Sequence, residues 1–122
     1  MKILVVEDSV ITRHLVLYAL RGIEGVEVVE ANDGIDDLRK ASERVFDLVV
    51  VDINMPLMDG FTLIEKLRSM DSYRAVPILV ISVEGALEDQ KRALGLGANM
   101  YLTKPVKAME ILQAVQTLIR RE

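Results

Sequence analysis

The sequence predicts an α/β domain built on a five-stranded, parallel, doubly wound sheet. Two observations predict it. Apolar runs of four or five residues alternate with longer amphipathic stretches along the whole chain, the signature of repeated strand–helix units. Four of those runs also end in a reactive polar group. Ile3-Leu4-Val5-Val6 is followed by Glu7 and Asp8, Leu48-Val49-Val50-Val51 by Asp52, Ile78-Leu79-Val80-Ile81 by Ser82, and Met100-Tyr101-Leu102-Thr103 by Lys104. Functional groups of open parallel sheets collect in the crevice at the carboxyl ends of the strands. Three carboxylates, one hydroxyl and one ammonium are therefore expected in a single pocket.

The elements follow in order. After strand one (3–6), Asp8 or Ser9 caps a helix running to about Arg21, with Gly22 as its stop. Strand two is Val26 to Ala31; its Glu27 and Glu30 suit an edge position. Asp33 caps a short second helix whose apolar residues are Ile35, Leu38 and Ala41. Strand three, Phe46 to Val51, is apolar throughout from Leu48 and expected to be buried on both faces. A loop from Asp52 to Asp59 leads to helix three, with Phe61, Ile64 and Leu67 inward. Pro77 opens strand four, where a missing N–H is tolerated. Helix four is placed from about Gly85 to Leu94, and Gly95 and Gly97 turn the chain into strand five. After Pro105 the last helix carries the stripe Ala108, Ile111, Leu112, Val115, Leu118, Ile119. A flavodoxin-like winding, order 2-1-3-4-5, makes strands one, three, four and five contiguous.

Length and composition fit one domain spanning 1–122, with 51% hydrophobic residues for a core and no cysteine to staple it. The chain enters an apolar strand at once, without a leader pattern, and no apolar run is long enough to span a bilayer. A cytoplasmic protein with no membrane attachment is expected. A net charge of −4 disfavours direct contact with nucleic acid. Arg120 and Arg121 are read as a helix C-terminus complementing its dipole.

Glu7, Asp8 and Asp52 crowded together would repel one another and raise each other's pKa. A hard divalent cation resolves this. Magnesium suits one or two carboxylates, a carbonyl and several waters, with room for phosphate oxygens. Lys104 adds a point charge, and metal plus lysine is what a transferring phosphoryl group requires. A carboxylate in such a site can itself be the nucleophile. Singly, each acid reads as a helix cap, Ser82 as a strand-end hydroxyl and Tyr101 as a packed aromatic; only together do they specify chemistry. His14, a lone helical histidine with no supporting motif, reads as solvated, and Met55 and Met58 read as gap fillers.

The motifs Val-Val-Glu-Asp-Ser at 5–9, Val-Asp-Ile-Asn-Met-Pro-Leu-Met-Asp-Gly at 51–60, Ile-Ser at 81–82 and Tyr-Leu-Thr-Lys-Pro at 101–105 resemble those of a response-regulator receiver domain of two-component signalling. The resemblance covers essentially the whole chain and is to the single-domain, chemotaxis-regulator-like type. It implies Asp52 as phosphoacceptor and a Mg2+ site formed by Glu7, Asp8, Asp52 and the main-chain carbonyl of Asn54. It also implies that Ser82 binds a phosphoryl oxygen, Lys104 neutralises phosphoryl charge and Tyr101 changes rotamer on activation. Lys104-Pro105 is expected to be cis. Three positions depart from the common pattern: Glu7 where many receivers carry aspartate, Ser82 where threonine is also common, and Val83 where alanine or glycine is usual.

Rival readings fit less well. A flavodoxin-like electron carrier needs a Ser/Thr/Gly-rich phosphate loop after strand one, and here that loop is acidic. A haloacid-dehalogenase-type hydrolase needs a second aspartate two residues after the nucleophile, and here Asn54 stands there. A pseudo-receiver lacks an element of the site, and none is missing. The expectation is a stand-alone switch rather than an enzyme acting on other substrates. It takes a phosphoryl group from a histidine kinase or histidine phosphotransfer protein and passes the signal to a downstream protein.

Overall fold

A computed structural model describes residues 1–55, 57–83 and 87–120. The elements are β1 (Lys2–Val6), α1 (Val10–Leu20), β2 (Glu27–Ala31), α2 (Gly34–Glu43), β3 (Leu48–Val51), α3 (Gly60–Arg68), β4 (Ile78–Val83), α4 (Leu87–Leu96), β5 (Met100–Lys104) and α5 (Ala108–Ile119), with a 3-10 turn at Asp71–Tyr73. The five strands are parallel, in the order β2-β1-β3-β4-β5, as expected. β2 is an edge strand, and Glu27 and Glu30 on it are exposed.

Strand alternation divides the core between the two faces of the sheet. On one face Leu4, Val6, Val49, Val51, Ile78 and Val80 meet buried residues of α2, α3 and α4. On the other Ile3, Val5, Leu48, Val50, Leu79 and Ile81 meet α1 and α5. β1, β3 and β4 are thus buried on both sides, which is why they read as unbroken apolar runs. The register places Val51 beside both Val6 and Val80. Glu7 and Asp52 follow Val6 and Val51 directly, and Ser82 lies two residues beyond Val80 on β4, so all three share one edge of the sheet.

Several boundaries follow from local chemistry. Ser9, not Asp8, caps α1, its Oγ accepting from the Thr12 N–H at 3.2 Å. Asp33 and Asp59 cap α2 and α3 by accepting from the Asp36 and Thr62 amides. β3 starts at Leu48, two residues later than expected. Phe46 lies outside the strand, buried, with its N–H donated to the Tyr73 hydroxyl. Gly95 is not a turn residue but lies within α4, which continues to Leu96; Gly97, at φ 121°, makes the turn alone. The expected start of α4 at Gly85 lies outside the described residues, as does Arg121.

α2 packs Leu38 and Ala41 on the core but turns its third apolar residue outward. Ile35 is 53% exposed, whereas Gly34, Asp37 and Ala41 face inward. Gly34 starts the helix in close contact with Met58. A Cβ there would lie 2.9 Å from Met58 Cβ, so only glycine lets the helix start press against that loop.

Candidate functional site

Five of the six residues singled out from the sequence come from the ends of β1, β3, β4 and β5, and the sixth, Asn54, from the loop after β3. Glu7, Asp52 and Ser82 are buried, with 1%, 3% and 1% of their surface exposed. Lys104 ends β5, and its Nζ lies 2.9 Å from Glu7 Oε2 and 3.4 Å from Asp52 Oδ2. One ammonium thus sits between two buried carboxylates contributed by different strands. Lys104-Pro105 is cis.

Neighbouring backbone groups hold the acids in place. The Ser9 N–H donates to Glu7 Oε2 at 3.0 Å, and the Asn54 N–H to Asp52 Oδ1 at 3.2 Å. Even so, burial pushes the Glu7 carboxyl up to about 7. The charge of Asp52 adds to the rise, while Lys104 and the Ser9 amide oppose it. Two acids against one cation leave the pocket short of positive charge.

Asp8 and Asn54 are exposed beside this buried pair. Among the described residues no three Asp, Glu, His or Cys side chains gather as a ready-made metal cage. The expected meeting of three carboxylates is thus reduced to a close pair with Asp8 outside it. The donor set fits magnesium and not an all-protein site. Two carboxylates under-compensated by one lysine, with a third acid and a main-chain carbonyl nearby, match an ion that keeps several waters. Glu7 is partly engaged by Lys104, so its part in holding an ion is weaker than that of an unpaired carboxylate.

The sequence did not disclose Arg13. Its guanidinium donates to the Glu7 carbonyl at 3.2 Å and pairs with Glu30 at 3.1 Å, tying α1 and β2 to the acidic loop. Its place one helical turn after the Ser9 cap was the available signal. Tyr101 is half-buried and packs against the core on the α3–α4 side. His14 lies on α1 and is exposed. Val83, just past Ser82, is 55% exposed.

A family model for the response regulator receiver domain matches residues 3–116. The chain belongs to that family. Receiver domains are the response-regulator part of two-component systems and pair with histidine kinases. The transcriptional regulatory protein PrrA of Mycobacterium tuberculosis is 38% identical over 120 residues, covering 98% of this chain and 50% of PrrA. The two-component response regulator PhoP of Pseudomonas aeruginosa is 37% identical over 121 residues, 99% of this chain and 52% of PhoP. The chain spans about half the length of these curated relatives.

Solved receivers match over nearly their whole length. The chemotaxis response regulator CheY4 of Vibrio cholerae superposes with a TM-score of 0.88 at 34% identity, covering 96% of this chain and 97% of that one. The receiver domain of sensor histidine kinase PA1611 from Pseudomonas aeruginosa has a TM-score of 0.87 at 30% identity, with 98% and 97% coverage. In that structure a magnesium ion is coordinated in the active-site cleft. Among the described residues of the present receiver, no helix is long and apolar enough to cross a membrane.

Proposed function

We propose that this receiver takes a phosphoryl group onto Asp52 from a phosphohistidine of a histidine kinase or histidine phosphotransfer protein. An Asp52 carboxylate oxygen attacks phosphorus, the phosphorus–nitrogen bond breaks, and the imidazole nitrogen keeps the electron pair. The observation that carries this reading is Lys104 poised within 3.4 Å of both buried acids. Its ammonium can follow charge from the carboxylates to the incoming phosphoryl oxygens. Ser82, buried at the end of β4, supplies a hydroxyl for one of those oxygens.

Glu7, Asp8, Asp52 and the Asn54 carbonyl would hold a magnesium ion, which would supply charge neutralisation for the phosphoryl group. The domain is a switch in this reading and turns over no other substrate. The new dianion at Asp52 draws on Ser82 and Lys104 and biases the packing of Tyr101, altering the face of α4, β5 and α5 that a downstream protein reads. It acts in the cytoplasm, without touching nucleic acid or membrane itself.

The test is intact mass after incubation with a small phosphoryl donor and magnesium. One base-labile phosphoryl group is expected on the parent and none on Asp52→Asn. Excess chelator should prevent labelling while circular dichroism stays unchanged. An Asp52→Asn variant that still gains an acid-stable, base-labile phosphoryl group would overturn the assignment.

A further inference from the structure

The acid that the proposed chemistry does not use is Asp37. It lies in the first turn of α2, is 0% exposed, and neither carboxyl oxygen has a hydrogen-bond partner among the described residues. An ionised carboxylate in that position is costly. The groups around it offer little relief. On its own helix, Asp36 repels it, and Lys40, which attracts it, is paired with Asp36 at 3.2 Å and bonded to the Glu30 carbonyl. From the turn before β4, the Tyr73 hydroxyl lies near enough to feel its charge. That hydroxyl has one proton, shared between the Ala41 and Arg44 carbonyls, and it accepts from the Phe46 N–H. What β1, β2 and α3 add to the core on this side of the sheet is apolar: Leu4, Val6, Ala31, Leu63 and Ile64.

We propose that Asp37 is a proton-operated latch: its neutral carboxyl lets α2 seat on the sheet, and its ionisation lifts α2 and loosens the loop between β3 and α3. The mechanical link is Gly34, whose backbone abuts Met58 within that loop; a Cβ at Gly34 would lie 3.1 Å from the Met58 carbonyl. The same loop begins at Asp52 and includes Asn54. Lifting α2 removes the wall against which Met58 rests. The link to phosphorylation depends on the proposed role of Asp52; the latch itself does not.

The direction of the pH effect follows from burial, which pushes the Asp37 carboxyl up to about 8 from an ordinary 3.8, with Asp36 adding to the rise and Lys40 opposing it. The seated form holds the proton more tightly than the lifted form. Seating is therefore strongest at or below the ordinary carboxyl range, weakens as pH rises from there, and has lost the full contribution above the raised value. In between, the equilibrium constant for lifting rises by up to about tenfold per pH unit.

Amide hydrogen exchange of residues 34–43, corrected for the intrinsic base dependence of exchange, measures lifting directly. Between about pH 6 and pH 8 the corrected opening constant should rise by up to about a hundredfold in the parent protein. It should stay flat in Asp37→Asn and in Asp37→Ala; the alanine variant carries the test if the asparagine variant misfolds. The Met58 methyl signal should titrate along with the α2 amides. A flat profile in the parent, or an Asp37 carboxyl carbon that titrates in the ordinary carboxylate range, overturns the latch. A Met58 methyl that ignores the transition overturns the coupling to the loop. No readout involves phosphate or metal, so failure here is distinguishable from failure of Asp52 as acceptor.

Discussion

At the carboxyl edge of the sheet, Glu7 and Asp52 are buried with Lys104 between them and backbone amides on their oxygens. Beneath α2, Asp37 is buried at least as completely, with nothing on either oxygen among the described residues. Burial raises both Glu7 and Asp37, to about 7 and about 8. Asp36, one residue from Asp37, is instead drawn down to about 2, first by the Asn32 amide and then by Arg39 and Lys40. Depth of burial thus does not distinguish a working acid from an isolated one; the partners do. The edge pocket borders exposed Asp8 and Asn54, so a ligand from solvent can complete its charge. The site under α2 can be completed only by a proton.

The largest expected effect comes from making the first region resemble the second. Lys104→Met strips the cation from two buried acids and should cost about 3 kcal/mol at pH 8. Glu7 is raised above its unfolded value, so its protonation relieves the repulsion and the loss should shrink toward pH 5. Urea melts at the two pH values decide; equal losses would mean that the acids do not depend on the lysine.

Converting the second region is next in size. Asp37→Ala removes the isolated carboxyl and should stabilise the domain by about 2 kcal/mol at pH 8, and by much less at pH 5, where the parent already holds the proton. Chemical denaturation across that range measures it; a variant less stable than the parent at pH 8 would show that Asp37 is paired in solution.

Smaller effects test the rim of the pocket. Val83 stands half-exposed beside buried Ser82, and its β-branched side chain is bulky and stiff. Val83→Ala should speed loss of the phosphoryl group by about threefold at fixed magnesium, a barrier change under 1 kcal/mol; an unchanged lifetime would reduce Val83 to packing. Leu57 sits at φ 70° in the loop after Asp52, 77% exposed. Leu57→Gly relieves a left-handed leucine but adds freedom to the unfolded chain. The net gain should be about 0.5 kcal/mol by thermal melting; a destabilised variant would mean that the leucine side chain contributes packing.

The sheet was legible because β1, β3 and β4 are buried on both faces and change abruptly to polar residues at their ends. The location of the pocket followed from those ends. Its internal pairing did not: the sequence placed Lys104 among the acids without indicating that it lies closer to Glu7 than to Asp52. Arg13 was missed because its place one helical turn after the Ser9 cap does not by itself name its partners, the Glu7 carbonyl and the Glu30 carboxylate. On α2, Leu38 and Ala41 pack on the core, but nothing in the sequence marked Ile35 as outward and Asp37 as inward. The Gly34–Met58 contact holds the start of the helix against the loop before α3. The end of α4 was placed early because Gly95 and Gly97 look alike in sequence, and only Gly97 has the backbone conformation that ends a helix.

The bond between Lys104 and Glu7 joins residues 97 positions apart. A growing chain that has passed Asp52 already holds the acids, yet has no cation for them until β5 takes its place at the edge of the sheet. If Lys104 serves the phosphoryl transfer proposed for Asp52, competence therefore waits until folding has reached the last strand. Cutting the chain after residue 83 would leave Glu7, Asp52 and Ser82 on one piece and Lys104 on the other. Rejoining of the pieces, with its loop-closure cost removed from the single chain, would then itself be the gate.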